Sequence, residues 1–79
     1  MNFPIFRKLS NNKRFYKINS DDSFDELQVL GNKVFMLTFK AHQYPEKILI
    51  QDMINKNQSY VESTLEEFSL IEKSSQNLT

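Results

Sequence analysis

ELQVLGNKVFMLTFK, running from Glu26 to Lys40, is the stretch that decides how this chain folds. Leu27 and Val29 alternate with Glu26 and Gln28; beyond Gly31-Asn32, the apolar residues Phe35, Leu37, Phe39 and Ala41 recur at every second position. Period-two patterning places alternate side chains on opposite faces of an extended strand, so two strands meet at a tight turn. Gly31 is the sole glycine and stands where a positive φ carries least cost. A turn made of Gly31 and Asn32 alone would pair Gln28 with Phe35 and Glu26 with Leu37, setting an amide and a carboxylate on the aromatic face. One extra residue removes that conflict. The expectation is therefore a three-residue loop over 31–33, or a bulge near it, bringing Val29 opposite Phe35 and Leu27 opposite Leu37.

Upstream, Pro4 to Leu9 and Lys13 to Asn19 flank the turn formers Ser10-Asn11-Asn12, which predicts a first hairpin. Ser20-Asp21-Asp22-Ser23 predicts the next turn. Downstream, Pro45 ends the long strand. Glu46 to Ile54 spaces Leu49 from Met53 and Ile50 from Ile54 by four, favouring a short helix with Pro45 in its first turn over a buried strand at Ile48-Leu49-Ile50. A polar break follows, then a short strand at Tyr60-Val61-Glu62. Thr64-Leu65-Glu66-Glu67 carries a capping-box pattern and opens a predicted amphipathic helix from 65 to about 73, with Leu65, Phe68 and Ile71 on one side.

These elements make a small α+β domain: an antiparallel meander of about four to five strands with a short C-terminal helix, barrel-like closure being the alternative arrangement. Residues 1–73 form a single domain, and Ser74 to Thr79 form a tail with little apolar content. Seventy-nine residues support one core, to which seven Phe and three Tyr bring large buried areas.

The chain contains no cysteine, so thiolate chemistry and disulfides are excluded. His42 is the sole histidine, and Pro45 interrupts the helical spacing that would join it to Glu46 in a metal pair. No catalytic, cofactor-binding or metal-binding residue emerges, and the chain is read as non-enzymatic. Neither a membrane span nor an export leader is evident in the pattern, and a soluble cytoplasmic protein is expected.

Ten basic and ten acidic residues cancel, but unevenly. Arg7, Lys8, Lys13, Arg14 and Lys17 fall in a stretch without acids, whereas Asp21, Asp22, Asp25 and Glu26 follow together and the terminal helix is acidic. The basic hairpin and acidic helix can lie side by side and attract each other, or the hairpin can face an acidic partner. Arg7, Lys8, Lys13, Phe15 and Lys17 form the candidate interaction surface. Phe15 either lies beneath Leu65 or Phe68, or stands outward between lysines where its ring stacks on a base. The functional expectation is a non-catalytic protein-interaction or regulatory module, docking another protein or itself through a sheet edge such as the 34–41 strand, or through the basic hairpin. The alternative is a single-stranded nucleic-acid-binding domain that uses this basic-aromatic hairpin.

Overall fold

The computed structural model describes residues 2–75. In chain order these are β1 (Ile5–Leu9), β2 (Arg14–Ser20), β3 (Ser23–Leu30), β4 (Lys33–Lys40), α1 (Tyr44–Ile54), β5 (Tyr60–Glu62) and α2 (Leu65–Ser75). The strands form one antiparallel sheet in the order β4-β3-β2-β1-β5. The sheet is open, with β4 and β5 as its edges, and does not close into a barrel.

The hairpins follow from their turn residues. Between β1 and β2, Asn12 takes a φ of 62 and its N–H donates to the Leu9 carbonyl at 2.9 Å, while Asn11 Oδ1 accepts from the Lys13 amide at 3.0 Å. Asparagine tolerates this left-handed geometry better than most residues. Between β2 and β3, the Ser20 hydroxyl donates to Asp22 Oδ1 at 2.6 Å and closes the turn.

The β3–β4 hairpin differs from the sequence expectation. Leu30 pairs with Lys33, so the loop is the two-residue Gly31-Asn32 turn, with Gly31 at a φ of 65. Positive φ at the first central residue suits a II′ turn, whose twist matches its flanking strands. The three-residue loop and the shifted register are therefore absent: Gln28 lies opposite Phe35, and Glu26 opposite Leu37. Leu27 and Val29 point to the other face, opposite Met36 and Val34.

Each face of the sheet carries its own apolar cluster. On one, Tyr16, Ile18, Phe24 and Ala41 pack with Ile50, Met53 and Ile54 of α1, flanked by Ile5, Leu9 and Tyr60. On the other, Phe15, Leu27 and Val34 pack with Phe68 of α2, flanked by Phe6, Val29 and Ile71. The result is the expected antiparallel meander, β1 to β4, joined by β5 and covered by one helix on each face. Pro45 sits at the start of α1, where its missing N–H costs nothing, and Ile50, Met53 and Ile54 supply the inward stripe. Phe68 is α2's main anchor; truncating it to alanine would cost roughly 3–5 kcal/mol through lost burial and the cavity left behind.

At the start of α2, the Glu67 amide donates to Thr64 Oγ1 at 3.1 Å, the first half of a capping box. The second half is rerouted. The Glu67 carboxylate accepts from the Ser63 hydroxyl at 2.7 Å and from Lys8 Nζ at 2.8 Å. Ser74 and Ser75 continue α2 rather than starting the expected tail, whose remaining residues, 76–79, lie outside the described residues.

Candidate functional site

The basic residues singled out in the sequence do not form one open surface. Arg7 turns inward on the α1 side of β1. Its Nε donates to the Met53 carbonyl at 3.0 Å, one terminal nitrogen donates to the Ile54 carbonyl at 3.0 Å, and the other to the Phe6 carbonyl at 2.9 Å. Two of these acceptors lie in the last turn of α1, where carbonyls lack helical partners and the helix dipole favours a cation. Arg7 is thus the C-terminal cap of α1, supplied by a distant strand.

Lys8 points to the opposite face, as alternation requires. It pairs with Glu67 at 2.8 Å, joining the basic hairpin to the acidic helix, and its Nζ stands 6.0 Å from the centre of the Phe15 ring. Phe15 is 3% exposed within the α2-side cluster that includes Phe68. The ring therefore occupies the core position beneath the terminal helix, and stacking it on a base would require α2 to move. Lys13 is exposed at the hairpin end, and Lys17 is half-buried opposite Asp25 on β3.

The free surface is the α1-side face of β4, the strand whose period-two apolar face is legible in the sequence. Phe35, Leu37 and Phe39 are 42%, 41% and 37% exposed, although their alternation resembles that of buried strand residues. α1 packs chiefly against β1 and β5, and its cluster reaches Phe24 and Ala41 at the end of the β3–β4 hairpin away from the turn, leaving Phe35, Leu37 and Phe39 partly exposed. Phe39 stacks on the buried Phe24 with ring centres 5.0 Å apart, which steadies this uncovered strip.

Beside the strip lies a buried polar row. Glu26 is 6% exposed and its Oε2 accepts from Gln28 Nε2 at 2.5 Å. Across the sheet, Glu26 pairs with Tyr16 on one side and Leu37 on the other. Burial first, then the neighbouring Glu26 carboxylate, holds the Tyr16 phenol well above its ordinary range. The Tyr60 phenol is also raised, chiefly by burial, and its ring meets Tyr16 edge-on at 5.6 Å.

The backbone of β4 is equally open. The Ala41 amide donates to the Asp22 carbonyl at 2.6 Å, so 33, 35, 37, 39 and 41 direct their backbone groups toward β3. Val34, Met36, Thr38 and Lys40 consequently direct theirs outward from the edge. Among the described residues, no other strand takes up those groups. The opposite edge, β5, spans only Tyr60–Glu62, and short edge strands offer little to pair with.

His42 is exposed, and among the described residues no three His, Asp or Glu side chains gather to hold a metal. No helix among the described residues is long and apolar enough to cross a membrane. No protein-family model, curated protein or solved structure matches this chain.

Proposed function

We propose that this protein is a non-catalytic interaction module that docks a protein partner along β4 by adding a strand to its sheet. The supporting observation is the exposure of Phe35, Leu37 and Phe39 on one side of a regular edge strand. Strand addition uses outward backbone groups for affinity and alternate side chains for selectivity. Both are available along β4: amides and carbonyls at Val34, Met36, Thr38 and Lys40, and the apolar strip between them.

Selection from a displayed library of linear peptides, followed by amide-exchange mapping, tests this reading. Selected peptides are expected to alternate apolar residues and to slow exchange at Val34, Met36, Thr38 and Lys40. Binding that maps to the β1–β2 hairpin would count against β4 docking. Titration with mixed-sequence single-stranded DNA at low salt tests the alternative nucleic-acid use of Lys13 and Lys17; binding that weakens with added salt and is lost on Lys13→Glu would favour it.

A further inference from the structure

Resting on the protein-interaction reading, we infer that the strand docked on β4 is β4 of a second copy, pairing antiparallel about a two-fold axis through Leu37. The residue order of β4 is close to palindromic about that point. Phe35 and Phe39 lie two residues to either side of Leu37, and all three share the uncovered face. A two-fold axis perpendicular to the sheet keeps like faces together, so it places Leu37 opposite Leu37 of the second copy and Phe35 opposite Phe39. Both apolar strips then form one continuous stripe.

The backbone allows the same register. Met36 and Thr38 both direct their N–H and C=O groups outward, and this axis sets Met36 of each copy opposite Thr38 of the other. Val34 likewise meets Lys40. These become hydrogen-bonded pairs, while Leu37 meets Leu37 as a non-hydrogen-bonded pair, whose side chains approach most closely. Charge is accommodated as well. Lys40 faces Val34 and Lys33 faces Ala41, so neither lysine opposes a like charge. β4 contains neither proline nor glycine to blunt its edge, and β3–β4 pairing runs without a shift from Ser23–Lys40 to Leu30–Lys33. Pairing produces one sheet spanning both copies and covers the edge that each leaves open.

Sedimentation velocity of the full chain, from about 5 to 500 µM, gives the first readout, because self-association is governed by mass action. The mass is expected to rise from 9.4 kDa toward twice that value. Met36→Pro removes an outward N–H without removing a β3 bond and is expected to weaken association at least tenfold, with the thermal unfolding transition retained. Leu37→Lys places two ammonium groups across the axis and keeps the test intact if the proline variant fails to fold. Because the chain has no cysteine, Leu37→Cys gives a register test: non-hydrogen-bonded partners lie about 4.5 Å apart at Cα, within disulfide reach. Its oxidation to a covalent dimer is expected to be at least tenfold faster than that of Ser59→Cys. A monomer throughout, a dimer indifferent to both Met36→Pro and Leu37→Lys, or equal cross-linking rates would overturn self-pairing. A monomer whose β4 amides are protected by a selected peptide would do so while leaving the interaction reading in place; a monomer with an unresponsive β4 would defeat both.

Discussion

Glu26 and Leu37 face each other across the β3–β4 ladder, yet the carboxylate-bearing residue is 6% exposed and the leucine is 41% exposed. This inverts the usual assignment of polar and apolar residues. Burying a carboxylate is costly, and replacing it together with its hydrogen-bond partner by apolar residues is often neutral or stabilising, whereas removing one partner alone leaves the other unsatisfied. The double substitution Glu26→Leu/Gln28→Leu is therefore expected to raise unfolding free energy by about 1 kcal/mol relative to Glu26→Leu alone, read as a higher urea midpoint at unchanged slope. A further loss in the double variant would instead mean that Gln28 supports the hairpin apart from its bond to Glu26.

The same pair marks the limit of what the sequence could convey. Period two correctly grouped Phe35, Leu37 and Phe39 on one face and located both strands. It could not reveal which stretch of that face α1 would cover, because coverage depends on where the helix returns. Apolar alternation alone favours apolar partners for apolar residues and so the longer loop, whereas the two-residue turn that Gly31 permits sets the observed register. The alternation of β2 allows Phe15 a place beneath Phe68, which it takes, and Lys8–Glu67 joins the basic hairpin to the acidic helix. The cap that Arg7 forms is not legible in the sequence because its acceptors lie 46 and 47 residues along the chain. No local pattern encodes such a contact.

Lys8 and Glu67 give a test of the hairpin–α2 junction. Lys8 and Ser63, both bonded to the Glu67 carboxylate, hold its pKa below the usual range. A depressed folded-state pKa contributes stability above the unfolded carboxylate pKa, and this contribution is lost as pH falls through the folded value. Glu67→Gln is expected to cost about 1 kcal/mol at neutral pH, with the difference from the parent shrinking below about pH 4. Urea melts at several pH values, combined with Lys8→Met in a double-mutant cycle, measure it. An undiminished difference in acid would assign the loss to Ser63 bonding rather than charge.

Tyr16 sets the alkaline limit. An unfolded tyrosine releases its proton near its ordinary pKa of about 10, whereas the buried Tyr16 phenol holds its proton to higher pH. Above pH 10 the unfolded state therefore binds fewer protons, and stability falls by about 1.4 kcal/mol per pH unit for each such tyrosine until the folded form also ionises. Tyr16→Phe is expected to flatten this decline while leaving the part due to Tyr60. Denaturant melts between pH 9 and about 12 read the slope directly; an unchanged slope in Tyr16→Phe would mean that another group controls alkaline unfolding.

Arg7 carries the prediction that separates structural from surface use of the basic hairpin. Its guanidinium donates three hydrogen bonds at 2.9–3.0 Å to backbone carbonyls, two of them closing α1. Arg7→Lys preserves the charge but loses the planar fork, because an ammonium on a flexible stem cannot reproduce donors held at fixed angles. The substitution is expected to cost about 1–3 kcal/mol and to accelerate amide exchange in the last turn of α1 before it affects β4. If Arg7 acts through charge at a surface, lysine should substitute without loss of stability. If it acts as the cap of α1, the charge-conserving variant should be nearly as damaging as Arg7→Met, and Ile50, Met53 and Ile54 should lose protection together, since that turn anchors the helix to the sheet.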